Sequence, residues 1–218
     1  MIKAGHKKWA RLLFDFYIKR ELKKHFSHFY LVNNYPQVNK ESPLVITPNH
    51  ISWWDGFFID YICNKEVGRR IYVMMLEEQL RKYKFFRKLG AYSVNLGNGF
   101  SVKDTILYTR EIVSDPANVT VIYPQGEIEP FEKRPMVLKE GIKLFVKGNQ
   151  GNVIVLPVGF KIQYYNEKKP AVIIRFGEPL KSETVINDFK VYENKFTENL
   201  DLLNNAAINK NFICDIWE

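Results

Sequence analysis

Cysteine is scarce. The 218-residue chain has two, Cys63 and Cys214. They offer neither a disulfide framework nor a metal-ligand spacing, so the expected setting is reducing and cytoplasmic, with no metal site. Long apolar runs are missing as well. No window reaches the roughly 20 apolar residues that a spanning helix needs. The opening stretch MIKAGHKKWARLLFDFYIKRELKK lacks the short uninterrupted apolar core of a signal peptide. Repeats, low-complexity tracts and internal linkers are absent too. If a membrane matters, the chain is expected to lie on it.

The sequence does have the means to build a core. Hydrophobic residues make up 46% and aromatics 15%, against 26% charged. That length and composition fit one folded domain and exclude a disordered chain. The formal charge is +8 and it is unevenly placed. Residues 1–28 hold eight Lys or Arg and two acids, a net +6, which leaves +2 for the other 190 residues. A nucleic-acid binder spreads its basic groups along a docking face. Here one segment carries nearly all of the excess, so nucleic acid is not an expected partner.

That segment reads as a helix over residues 3–26. Ile2, Trp9, Leu12, Leu13, Phe16 and Tyr17 share one arc at 100° per residue, with Lys3, Lys7, Lys8 and Arg11 mostly opposite. A second apolar line runs through Phe14, Ile18 and Leu22. Two apolar lines imply two surfaces, one for the domain and one for a lipid interface, where lysines meet anionic headgroups. A surface helix with a solvated basic face is the simpler alternative. The expected division is 1–28 as an amphipathic membrane-surface helix and 29–218 as the main domain.

Beyond it the chain alternates. Strands are expected at FYLVNN, residues 43–49, 69–76, AYSVNL, 118–124, 152–160 and 171–177. Helices are expected at SWWDGFFIDYIC, at EEQLRKYKFFRKLG closed by Gly90, at 101–115 with Ser101 as N-cap, at KEGIKLFVKGN, and through SETVINDFKVYENKFTENLDLLNNAAI. This alternation argues a single layered α/β domain with a mostly buried mixed sheet flanked by helices.

His50 is the one histidine outside the N-terminal segment. In TPNHISWWDG it follows a buried strand at the entry to a helix, where ligand sites of α/β sheets gather. On a continuous helix His50 and Asp55 would lie about 140° apart. They meet only if His50 sits in the turn before the helix, which Pro48 allows. An Asp that accepts a hydrogen bond from one imidazole nitrogen leaves the other as a base. Read alone, the pair is equally an imidazole bonded to a carbonyl and an Asp capping a helix. No G-x-S-x-G elbow or His-adjacent cysteine supplies a nucleophile, which suggests direct transfer to a substrate hydroxyl.

Four blocks, in order, resemble the glycerolipid acyltransferases typified by lysophosphatidic acid acyltransferase. NHISWWD (49–55) matches N-H-x-x-x-x-D. KLGAYSVNL (88–96) stands where a block begins with Gly and ends in Arg. YPQGE (123–127) resembles Phe-Pro-Glu-Gly-Thr, with LKEG (138–141) following, and VLPVGF (155–160) resembles a Val-Pro-Val block. A condensation-type His-x-x-x-Asp-Gly motif fits worse, because His50 to Asp55-Gly56 is one residue too long.

The resemblance implies that His50 takes the acceptor's proton while Asp55 orients the imidazole. No covalent acyl-enzyme forms, and backbone amides at a strand–helix turn meet the oxyanion. The acyl donor is an acyl-CoA or acyl-carrier-protein thioester, with no bound cofactor. Asn49, Tyr123, Pro124, Gln125, Gly126 and Glu127, with Lys133 and Arg134 from the loop, are expected around the substrate. Trp54, Phe57 and Phe58 are expected as core rather than acyl path. Expected partners are an anionic lipid surface, a lipid-like hydroxyl acceptor and acyl carrier protein, at the inner face of the cytoplasmic membrane. Leu96 and Ile128 replace arginines, and Gln125 replaces a glutamate. Guanidinium forks suit phosphate and aliphatic side chains do not, so an acceptor without phosphate is expected, such as an aminoacyl lipid or a pigment. Standard lysophosphatidic acid acylation and a silent membrane-binding module are the alternatives.

Overall fold

Apolar runs bounded by Pro, Gly, Asn or Asp become the strands. The computed structural model describes residues 1–148 and 153–217. Among them it forms β1 (Phe29–Leu31), β2 (Leu44–Pro48), β3 (Arg70–Leu76), β4 (Ala91–Val94), β5 (Asn118–Val121), β6 (Ile154–Gln163), β7 (Ala171–Phe176), β8 (Leu180–Lys181) and β9 (Cys214–Asp215). They pair in the order β4-β3-β5-β2-β6-β7-β1-β9, with β8 on β6. β4 through β6 in that order are parallel, and β7 returns antiparallel to β6. The sheet is mixed and mostly parallel, as the alternation of strands and helices predicts.

The helices are α1 (Lys8–His25), α2 (Asp55–Ile62), α3 (Glu77–Lys82), α4 (Gly99–Val113), α5 (Ile142–Val146), α6 (Ser182–Asn187) and α7 (Phe189–Asn209). They cover both faces of the sheet. On β2, Leu44 and Ile46 pack with α1 and α2, while Val45 packs with α5 and α7. β7 divides in the same way, with Val172, Ile174 and Phe176 on the first face and Ile173 on the second. Successive strand residues point to opposite faces, so a strand buried on both sides needs an unbroken apolar run. LVIT is such a run.

Several expected boundaries move. The first helix begins at Lys8, not residue 3. The amides of Gly5 and Lys7 donate to the carbonyls of Arg87 and Lys88, and Ser93 donates to Ile2, which holds residues 2–7 extended. Ile2 therefore lies outside the helix. The helix expected through Gly90 stops at Lys82 and resumes as a tighter 3₁₀ turn over Lys84–Leu89. Gly90 does close it, at φ 111°, where a Cβ would lie 2.2 Å from the Ile71 carbonyl oxygen. The N-cap of α4 is Asn98 instead of Ser101, because the Asn98 side chain accepts from the Ser101 amide. The terminal helix breaks at Asp188, which caps α7. The expected strand start at Asn152 and helix end at Asn149 lie outside the described residues.

The two apolar lines of α1 separate as their spacing predicts. Ala10, Phe14, Ile18 and Leu22 are buried. Trp9, Leu12, Leu13, Phe16 and Tyr17 stay exposed, Phe16 at 76%. Docking is fixed by an ion pair as well as by packing. Arg11 Nη1 and Nη2 donate to the two Asp60 carboxylate oxygens of α2, each at 2.7 Å. Burial raises the Asp60 pKa, and Arg11 counters part of that rise. Removing the guanidinium strands a buried carboxylate, which costs about 3 kcal/mol. Arg11→Ala is expected to lower the urea unfolding free energy by about that amount. A change below 0.5 kcal/mol would show the fork to be ornamental.

At the other edge, β9 pairs with β1. His28 Nδ1 donates to Asp215 Oδ2 at 2.6 Å, and Nε2 lies 3.0 Å from Glu167 Oε1. Asp215 Oδ1 also accepts from the amides of Phe29 and Trp217. Burial pulls the His28 pKa down, but its two carboxylate partners outweigh this and raise it. Burial pushes Asp215 up, and His28 with the two amides brings it below its ordinary value. The histidine contribution is full below its unfolded pKa of about 6.5 and fades as pH rises through the folded value. The aspartate contribution is full above about 3.9 and fades as pH falls through the folded value. The pair should therefore stabilise most between about pH 4 and 6.5. His28→Gln should cost more stability at pH 5.5 than at pH 8.5 in paired urea titrations. An equal loss at both would refute the linkage.

Candidate active site

The site forms where two neighbouring parallel strands end. β2 and β5 are adjacent, and the Ile122 amide extends their ladder by donating to the Ile46 carbonyl. The residues after β2 (49–55) and after β5 (122–129) therefore leave the sheet side by side. Ligand sites of α/β sheets lie at such carboxyl ends.

Pro48 ends β2, and Asn49 continues its bonding by side chain. The Asn49 amide nitrogen donates to the Phe160 carbonyl at 2.9 Å, and its oxygen accepts from the Phe160 amide at 2.7 Å. Asn49 is fully buried. Its carboxamide ties β2 to β6, which leaves no exposed atom to face a substrate. The residue expected at the substrate thus spends its side chain on the sheet.

His50 then stands in the turn and Asp55 opens α2. The pair meets: His50 Nδ1 lies 2.8 Å from Asp55 Oδ2. Asp55 is fully buried and its acceptors are crowded. Oδ2 also receives the amides of Ile51 at 2.6 Å and Ser52 at 2.8 Å, and Oδ1 receives the Ser52 hydroxyl at 3.1 Å. A carboxylate only accepts, so Nδ1 carries the proton toward it. Nε2 then presents a lone pair, and it has no hydrogen-bond partner among the described residues. The imidazole is 24% exposed. Ser52 is a participant that sequence reading passed over. Its hydroxyl accepts from the Trp54 amide while donating to Asp55.

Most of the turn's amides are thereby used. Those of Ile51 and Ser52 serve Asp55, that of Trp54 serves Ser52, and that of Asp55 reaches the Ser52 carbonyl. In this turn the Trp53 amide alone has no hydrogen bond among the described residues, so of the oxyanion donors expected there it is the one left open.

The loop after β5 closes over His50. The Tyr123 ring lies tilted at 31° against the imidazole, with centroids 4.4 Å apart. Burial, then the charges of Asp55, Cys63 and Asp60, push its phenol pKa well up. Pro124 is buried, and its carbonyl accepts from the Lys139 amide. Gly126 turns the chain at φ 78°, a left-handed conformation that suits glycine. Gln125 is 2% exposed, and its Oε1 accepts from the His50 amide at 2.6 Å. Its Nε2 donates to Glu129 Oε2 at 3.2 Å. The Glu129 amide donates to the His50 carbonyl at 2.9 Å. Glu129 is a second participant that the sequence reading passed over.

Lys133 pairs with Glu129, which raises its pKa. Arg134 turns the other way: it bonds Asp201 of α7 at 2.9 Å and the carbonyls of Phe131 and Lys133. Glu127 is exposed. Leu96 and Ile128 are exposed at 72% and 51% and supply no cation. Phe57 and Phe58 are buried in the core as expected, Trp54 packs at its edge, and Trp53 is half exposed.

Fold and site together define an α/β domain that holds an imidazole–carboxylate pair at the carboxyl ends of parallel strands. The Acyltransferase family model matches residues 29–161, well over half of the chain, and the chain belongs to that family. It is therefore an enzyme that transfers acyl groups. The fold is similar to the crystal structure of the 1-acyl-sn-glycerophosphate (LPA) acyltransferase PlsC from Thermotoga maritima. The TM-score is 0.59 at 18% identity, over 88% of this chain and 77% of that one. At that identity the likeness speaks for the fold alone. No curated protein sequence gives a significant match.

Proposed function

We propose that the chain moves a fatty acyl group from an acyl-CoA or acyl-carrier-protein thioester directly to a hydroxyl of a lipid-like acceptor. The open Nε2 of an imidazole whose Nδ1 is held by Asp55 carries this reading. Nε2 takes the hydroxyl proton as the oxygen attacks the thioester carbon. The tetrahedral oxyanion collapses, the C–S bond breaks, and the thiolate leaves with the proton from the imidazolium. The amides of Glu127 and Ile128 carry no hydrogen bond among the described residues and stand next to the residue that grips the His50 carbonyl; we assign them to the oxyanion. Beside His50, among the described residues, no free nucleophile stands to form a covalent intermediate. Cys63 is buried, with its thiol pKa pushed far up by burial. The Ser52 hydroxyl is committed to Asp55.

Asp55 is the orienting residue, and Asn49 and Gln125 position His50. Tyr123, Pro124 and Gly126 shape the wall beside the imidazole, with Glu127 and Lys133 at its rim. The acceptor is read as phosphate-free, because Leu96 and Ile128 supply no cation and two loop cations are already matched, which leaves Lys139 beside Gly126 without an ion pair among the described residues. Lys133 is bonded to Glu129, and Arg134 to Asp201. General-base catalysis is worth about 10²–10⁴-fold. His50→Ala should slow thiol release from palmitoyl-CoA by roughly 10³ in the presence of the true acceptor. The assay compares lysophosphatidic acid with monoacylglycerol, lyso-aminolipids and hydroxylated pigments. Preference for lysophosphatidic acid would reject the phosphate-free reading. Equal release by wild type and His50→Ala would reject the base.

Residues 1–28 are read as the membrane-facing segment, at the inner face of the cytoplasmic membrane. Among the described residues no helix is long and apolar enough to cross a membrane. α1 instead exposes Trp9, Leu12, Leu13, Phe16 and Tyr17 in one face with lysines beside it. Burying one such side chain is worth about 1.5–3 kcal/mol, so Phe16→Glu should weaken partition onto phosphatidylglycerol vesicles by about tenfold or more. Unchanged sedimentation with vesicles would show that this face meets something else.

A further inference from the structure

The loop after β5 holds His50 by both of its backbone polar groups. Its N–H donates to Gln125 Oε1 at 2.6 Å, and its carbonyl accepts from the Glu129 amide at 2.9 Å. The two loop side chains also bond each other, Gln125 Nε2 to Glu129 Oε2 at 3.2 Å. Both are buried, at 2% and 7% exposure. Every atom of the Gln125 carboxamide is thus assigned. The His50 N–H must donate, so it faces the oxygen, and the nitrogen is left for a carboxylate. Lys133 and then Gln125 hold the Glu129 carboxyl below its usual pKa, so this partner is anionic near neutral pH.

We propose that Gln125 and Glu129 are positioning residues that act as one unit on His50, one supplying a carboxamide and the other a carboxylate. This rests on the general-base reading of His50 and deepens it. The chemistry of the pair explains why position 125 carries an amide. A carboxylate there would still accept from the His50 amide, but its second oxygen would face the Glu129 carboxylate. Two buried like charges at that distance repel, and the loop would leave the His50 backbone. A carboxylate is compatible with position 125 only when residue 129 carries no second negative charge, as an amide there would ensure. Neither side chain reaches the open Nε2, so the effect falls on where the imidazole stands and not on what it binds.

The test is a four-member cycle: wild type, Gln125→Glu, Glu129→Gln and the swapped double variant. Thiol release from palmitoyl-CoA is measured with the best acceptor of the panel, as kcat and KM separately. Gln125→Glu is expected to lose about 30-fold or more in kcat at pH 8, with KM for the thioester within about twofold. Glu129→Gln should lose only a fewfold, because an amide oxygen still accepts from Gln125. The double variant should recover to within about threefold of wild type. A second readout needs no activity. Hydrogen–deuterium exchange at the His50 amide should quicken at least tenfold in Gln125→Glu and return toward wild type in the swap. A double variant as impaired as the product of the single variants, with equally fast His50 exchange, would overturn the proposal. Wild-type thiol release that is indifferent to His50→Ala would reject the base while leaving the exchange cycle to decide the clamp.

Discussion

Asp55 sits without solvent contact and accepts hydrogen bonds from the His50 ring, the Ile51 and Ser52 amides and the Ser52 hydroxyl. A buried carboxylate left without partners would cost several kcal/mol. Charge-assisted bonds return about 1.5–3 kcal/mol each, so the turn folds around the carboxylate and not the reverse. That constraint selects the local sequence. Pro48 keeps the preceding residue extended, His50 stays off the helix, and Ser52 is short enough to bond Asp55 and still accept from the Trp54 amide. The imidazole tautomer follows from the same carboxylate. The open Nε2 is thus a consequence of satisfying a buried charge.

The placement of that turn belongs to the sheet. β2 is central and buried on both faces, and Asn49 carries its pairing with β6 past the proline by side-chain bonds to Phe160. β5 lies on its other flank and delivers Tyr123 and Gln125 to the same point. α1 reaches α2 through the Arg11–Asp60 fork and through the Phe14–Phe57 contact. The helix that exposes the apolar face is therefore rigidly coupled to the helix that begins with Asp55. Surface and site share one element, α2, between them.

What the sequence made legible was what local periodicity encodes. The run LVITP gave a buried strand, the two apolar lines of α1 gave a buried face and an exposed one, and His50 with Asp55 gave a turn followed by a helix. What it hid depends on residues distant in the chain. Residues 2–7 have helical spacing, yet their amides pair with carbonyls at 87 and 88, some 80 positions away. Asn49 looks like a polar site residue until Phe160, 111 positions on, is seen to use both ends of its amide. Gln125 is visible as a departure from a motif, but nothing local says that its oxygen meets the His50 amide. Arg134 adjoins Lys133 in sequence and points to α7 instead, because Asp201 lies there.

The distribution of charge ties these points together. Among the loop cations, Lys133 is neutralised by Glu129 and Arg134 by Asp201, Lys139 has no ion pair among the described residues, and the positions where the resemblance leads one to expect arginines hold Leu96 and Ile128. The net excess of +6 lies in residues 1–28, in the same segment as the exposed Trp9, Leu12, Leu13, Phe16 and Tyr17. Screening over about 8–10 Å at physiological salt keeps such a field local. An anionic surface would thus be attracted to α1 and not to the loop beside His50. On the proposed reading, electrostatics orients the protein, and the acceptor is chosen by shape and by a hydroxyl that can reach Nε2.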